Sequence, residues 1–130
     1  MANTSIKRMQ KALYAIKNIL INDEEIRKLL GNMVPNALSV AAQNVNWFEE
    51  QKVISLTPYI DYENGIKESQ RNAFLTIYIE EMTKVENSIG FMINIAIMVR
   101  QEYYEIDNNK IRALEVLSRI EELLEGKKLQ

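Results

Sequence analysis

A chain of 130 residues has room for one domain and one sizeable core, and its 47% hydrophobic and 26% charged residues are ordinary for a globular protein. It contains no cysteine and no histidine, which excludes a disulfide framework, thiolate or imidazole metal ligands, and every Ser-His or Cys-His nucleophile. The net charge of −2 excludes bulk attraction to polyanions, and the longest apolar-rich run, Phe91 to Val99, is far short of the ~20 residues of a membrane helix.

The charge is unevenly spread. Residues 1–21 carry Lys7, Arg8, Lys11 and Lys17 and no acid, whereas Asp23, Glu24 and Glu25 come directly after. These cations interrupt the first apolar residues, so neither a secretory leader nor a membrane association is expected. Ile6, Met9, Leu13, Ile16 and Leu20 recur at steps of three and four and predict an amphipathic helix, with Thr4 or Ser5 as its cap. Asn22-Asp-Glu-Glu25 has the form of a capping box for a second helix over 23–30. Ile26, Leu29 and Leu30 are its apolar face, and Gly31 is its stop.

Residues 32–52 are less regular. Met33-Val34-Pro35-Asn36 reads as a turn, and Asn36 is placed to cap a short helical segment through Ala42. Asn44 and Asn46 argue against a long helix beyond it. Trp47 and Phe48 stand in a polar setting, as a local anchor or as part of an interface. Val53 to Ile60 alternates loosely but holds Pro58, which restricts it to an edge strand or a strand end. Asn64-Gly65 signals a turn and the polar stretch 66–72 a loop.

Two strands come next. From Phe74 to Met82, Leu75, Ile77 and Ile79 face one side, with Phe74, Thr76 and Tyr78 on the other. Residues 86–90 turn the chain. Phe91, Ile93, Ile95, Ile97 and Val99 then give five alternate β-favouring positions, so the two runs are expected to pair as a hairpin. The intervening Met92, Ala96 and Met98 make the second face only half polar and call for a cover. A final helix is predicted with Asp107 or Asn108 as cap and Gly126 as stop. Ile111, Leu114, Leu117, Ile120 and Leu124 are its expected inward stripe, with Arg112, Glu115, Arg119 and Glu122 outside it. The expected fold is therefore a single α+β domain over 1–130: an antiparallel strand meander with amphipathic helices at the N- and C-termini packed on the sheet.

Candidate chemistry is sparse. Asp61 with Glu63, or Glu80 with Glu81, supplies carboxylates for a divalent metal, and Glu81 with Lys84 is similar to the acid-and-lysine strand ends of metal-dependent nucleases. Adjacent strand residues point to opposite faces, however, so Glu80 and Glu81 share a side only at a bulge. Four glycines without grouping make no phosphate loop. A helix-turn-helix over 5–30 would present Asp23, Glu24 and Glu25 to phosphates, which repel them. No catalytic residue, cofactor or metal is expected. Interface candidates are Trp47, Phe48, Tyr59, Tyr62, Tyr78, Met92, Met98, Tyr103 and Tyr104, tyrosine being enriched at subunit contacts.

The layout carries a resemblance. The first helix leads into Asn-Asp-Glu-Glu-Ile-Arg-Lys-Leu-Leu (22–30), then Pro-Asn-Ala-Leu-Ser (35–39) and Ile-Ser-Leu-Thr-Pro-Tyr-Ile (54–60). A strand pair and a helix closing on Glu-Leu-Leu-Glu-Gly (122–126) complete it. Over most of the chain this resembles the tail terminators and related tail-completion or neck proteins of long-tailed bacteriophages. The resemblance implies a non-enzymatic virion protein, assembled in the host cytoplasm into a ring, usually a hexamer, at the head–tail junction. Its implied partners are the tail tube protein, the head connector and neighbouring neck proteins, with genomic DNA passing the lumen unread. Lys7, Arg8, Lys11 and Lys17 would then face the lumen. The alternative is a small regulatory or DNA-binding protein that uses the same basic helix.

Overall fold

The computed structural model describes residues 4–56 and 72–127. The expected turn at Asn64-Gly65, most of the 66–72 loop, Pro58, Tyr59, Asp61, Tyr62 and Glu63 lie outside these residues, as do the side chains of Thr4 and Ser5. The protein is α+β, with helices packed against a three-stranded sheet and a second, two-stranded sheet. None of the described helices is long and apolar enough to cross a membrane.

Helix α1, Thr4–Ile21, buries Met9, Ala12, Ile16, Leu20 and Ile21. Its expected stripe is right except at Ile6, which lies beyond the end of the core and is exposed. Helix α2, Glu24–Gly31, buries Ile26, Leu29 and Leu30. Its cap is Asp23 rather than Asn22: Asp23 Oδ2 accepts from Ile26 N–H at 3.0 Å, while Asn22 Nδ2 donates back to Asn18 O at 2.8 Å. Asn22 thus closes the first helix and leaves the second to its neighbour. Gly31 is the last helical residue. A Cβ there would meet the Phe48 ring at 3.2 Å, so close approach of an aromatic ring, rather than a left-handed backbone, accounts for glycine at this position.

The helical segment expected through Ala42 is only a 3-10 turn, Ala37–Ser39, and the Asn36 side chain does not cap it. Asn32 is the reason. Its buried side chain donates to the carbonyls of Ala37, Val40 and Ala41 at 3.1, 3.0 and 3.2 Å, which holds the segment as a loop. Asn44, which argues against continuing a helix, instead starts one: its Oδ1 accepts from Trp47 N–H at 2.8 Å and caps α3, Val45–Gln51. Phe48 from this helix is fully buried, edge-on to Trp47 with ring centroids 5.2 Å apart.

Strand β1, Ile54–Ser55, lies at one edge of the sheet as expected, but it runs parallel to β2, so the sheet is mixed and not a pure meander. Strands β2, Ala73–Val85, and β3, Ser88–Val99, form the expected antiparallel hairpin, with Leu75 opposite Ile97 and Ile77 opposite Ile95. The turn is tighter than expected. Val85 pairs with Ser88, which leaves only Glu86 and Asn87 between the strands, Glu86 at φ 53°. Leu75 and Ile77 are fully buried and join Ile16, Leu20, Ile26, Leu29, Phe48 and Val116 in one hydrophobic cluster.

Past the hairpin, Asp107 and Asn108 do not cap the last helix. They belong to a three-residue turn between β4, Glu105–Ile106, and β5, Lys110–Ile111, in which Asn108 and Asn109 take φ of 66° and 59°. Asparagine tolerates that region better than most residues. Helix α4, Arg112–Leu124, begins there without a side-chain cap, and Gly126 at φ 71° lies just past its end. Its buried residues are Arg112, Ala113, Val116 and Ile120, whereas Leu114 and Leu117 are 55% and 39% exposed. The expected stripe fails because steps of three drift around a helix. Ile111 falls in β5 before the helix begins, and at about 100° per residue Leu114 lies about 120° round α4 from the buried Ile120. Steps of three and four through 113, 116 and 120 keep to one face.

Arg112 is the largest departure. Expected outside, it is 1% exposed. Its guanidinium donates to Leu29 O, to Asn32 O at 2.9 Å, to Val34 O at 3.2 Å and to Tyr103 O at 2.8 Å. The first two of these carbonyls belong to the C-terminal end of α2, where a helix favours positive charge. Burial lowers the Arg112 pKa, yet arginine stays charged. One cation therefore ties α2, the 32–34 segment and the Gln101–Tyr103 turn before β4 to α4.

At the other end of α2, Arg119 grips Asp23 with two bonds of 2.7 and 3.1 Å. Burial pushes the Asp23 carboxyl up, but the Arg119 bonds, the Ile26 N–H and the charges of Arg119 and Arg27 outweigh it and leave the pKa below 3.8. A depressed folded pKa contributes stability that is present above the unfolded value and is lost as pH falls through the folded one. Asp23→Asn keeps a capping oxygen and removes the charge, so it should cost about 1–2 kcal/mol at neutral pH. Thermal melts against pH would show this gap closing as the medium is acidified below pH 4. A gap independent of pH would exclude the charge as its cause.

Candidate functional site

The hairpin separates into a root and an arm. At the root, β2 from Ala73 to Ile77 is buried. Beyond Ile79 the register shifts, since Ile79 faces Ile93 and Glu81 faces Met92. Glu80 is the extra residue of a β-bulge there. Past it Glu80 to Lys84, Glu86 to Ser88, Gly90 and Met92 are all exposed. Six β2 residues at ~3.3 Å each give an arm of about 20 Å beyond the bulge. Bulges bend strands and re-aim the residues beyond them, and this one moves Met82 to the side that Leu75 and Ile77 occupy at the root. Met82 and Met92 stand 52% and 54% exposed on opposite faces of the arm.

The outer edge of β3 is unpaired among the described residues, because β3 is the last strand in the order β1-β2-β3. Its polar groups can be placed. Leu75 N–H donates toward β1 at Val53 O (2.8 Å), and Arg100 N–H donates to Asn72 O (2.9 Å). With this phase Ile93, Ile95, Ile97 and Val99 direct their backbone N–H and C=O groups to the open edge. All twelve β3 residues, Ser-Ile-Gly-Phe-Met-Ile-Asn-Ile-Ala-Ile-Met-Val, are uncharged, and none is proline. Edges that must stay single are blunted by charge, proline or a bulge within the edge strand. The bulge here lies on β2, so β3 has none of these.

The interface candidates divide accordingly. Met92 and Met98 are exposed, on the sheet face away from Leu75; the cover expected for them is not supplied by described residues. Tyr78 is half-buried between them, its hydroxyl accepting from Asn94 Nδ2 at 2.9 Å. Tyr104 is exposed and Tyr103 half-buried. Trp47 is half-buried, and Phe48 is removed from the candidates, since its ring is enclosed in the core and cannot reach a partner.

Of the four cations on α1, Lys17 is engaged with Glu49 at 3.3 Å. Arg8 is half-buried, with no described acceptor for its Nε. Lys7 and Lys11 are exposed, on one outer stripe with Tyr14.

Glu80 and Glu81 lie at the bulge, both exposed, and no group of three acids among the described residues could hold a metal. The pocket beside Trp47, between Met33, Gln51, Val53 and Asn72, has no titratable group among its described lining residues. In the open cleft at Asp23, Glu24, Lys28 and Arg119 the charges are already paired with one another. No family model, curated protein or solved structure matches the chain.

The charge-free run of β3 was visible in the sequence, but not that it forms an edge. Nor was the arm, because a bulge signal as weak as Glu80-Glu81 does not say where helix cover ends.

Proposed function

We propose that this protein is a non-catalytic assembly subunit that joins copies of itself through the β2–β3 hairpin. The observation that carries the reading is the open edge of β3, twelve residues long and free of charge and proline. An edge of this kind is a template for another chain. The class is that of the ring-forming tail terminators and tail-completion proteins that the sequence resembles. Its ring would sit at the head–tail junction of a long-tailed bacteriophage virion, between the tail tube and the head connector, with DNA passing through unread. The absence of histidine and cysteine, together with the paired charges of the cleft, supports a structural role.

A DNA-binding regulator built on α1 is the competing reading, favoured by the exposed Lys7 and Lys11. Sedimentation with and without duplex DNA at two salt concentrations separates them. An assembly subunit should form oligomers without DNA that survive raised salt, since apolar and backbone groups join them. A monomer whose DNA affinity falls steeply with salt would favour the regulator, because released counterions then dominate binding.

A further inference from the structure

If the protein assembles through its hairpin, the surface that the arm meets can be named as well. The arm face carrying Glu81 opposite Met92 is exposed, and no described cation forms an ion pair with Glu81. On α1, Lys7, Lys11 and Tyr14 lie at steps of four and three on the side turned away from the buried Ile16, and Tyr14 is 57% exposed. Neither lysine has an ion pair with a described residue. One chain thus carries two exposed surfaces of opposite sign, each with a large apolar side chain at its centre.

We propose, resting on the assembly reading, that the arm of one copy seats on the outer face of α1 of a second copy, with Glu81 against Lys7 and Lys11 and Met92 against the Tyr14 ring. Thioether and aromatic ring attract each other and adapt in shape, while the charges fix register. A symmetric arm-to-arm contact is disfavoured, because Glu80, Glu81 and Glu86 outnumber Lys84 on each arm and would face their own kind. A contact between two different patches is head-to-tail, and such contacts close into rings when the rotation permits. This places the outer face of α1 between subunits and not toward the lumen.

The test is a charge exchange read by native mass, with thermal midpoints to confirm that each variant folds; both positions are exposed. Glu81→Lys alone and Lys11→Glu alone should each weaken assembly at least tenfold. The double variant on one chain should recover most of it, because Glu81→Lys then meets the carboxylate of Lys11→Glu, with Lys7 the one like charge left in the contact. If both single variants assemble like the parent, or the double variant does not recover, the α1 contact is wrong while assembly itself stands. A parent that never assembles would overturn the assembly reading as well. Loss of duplex DNA binding in Lys11→Glu with assembly intact would assign this face to nucleic acid and overturn the contact.

Discussion

Replacing residues 79–93 by Asn-Gly, so that a two-residue turn joins Tyr78 directly to Asn94, should leave a folded protein that assembles far more weakly, with only the short β3 edge past Asn94 left to join copies. Tyr78 and Asn94 already face each other with their backbone groups directed at one another, and Asn-Gly favours the turn that matches strand twist. The deletion spares Leu75, Ile77, Phe48 and the helix residues of the buried cluster. Most of what it removes is exposed, Ile79, Ile89, Phe91 and Ile93 being half-buried, so the melting midpoint should fall by several degrees while unfolding stays cooperative. The expected native mass is that of a monomer under conditions where the parent is oligomeric. Circular dichroism would check the fold, and light scattering the mass. If the shortened chain assembled like its parent, the arm would have no part in association.

The second large effect is on stability. Arg112→Met keeps much of the side-chain length but leaves the carbonyls of Leu29, Asn32, Val34 and Tyr103 without their common donor. Removing one partner of a buried charged network costs about 3–5 kcal/mol, because the remaining polar groups stay buried and unpaired. That is a large part of the ~5–15 kcal/mol holding a typical domain together. Arg112→Lys should recover little, since one ammonium cannot reach four diverging acceptors. Urea unfolding of the three proteins would measure this. A Met variant within about 1 kcal/mol of the parent would show that the hub is dispensable, that being the scale of a single hydrogen bond.

The features legible in the sequence were those that repeat. The steps of α1, the Ile26–Leu29–Leu30 face and the alternation of β3 each recur often enough to fix a period, and two such runs imply the hairpin. Single side chains acting at a distance were not legible. Arg112 sits among charged residues at helical spacing and looks solvated; only the approach of the α2 end makes it a hub. Asn32 comes after a helix-stopping glycine and looks like turn, whereas it organises three carbonyls. Leu114 and Leu117 look inward by type and lie outward by geometry. Of the site, the uncharged character of β3 is plain in the letters. That its outer edge has no described partner depends on strand order, which local patterns do not encode.

The most direct test of the assembly reading is the native mass of the intact protein across a concentration series, with electron-microscope images of the same sample. One closed oligomer is expected, a ring of six by analogy with the proteins the sequence resembles, persisting at raised salt. A protein that stays monomeric at the highest concentrations, with its β3 edge open to solvent, would contradict it.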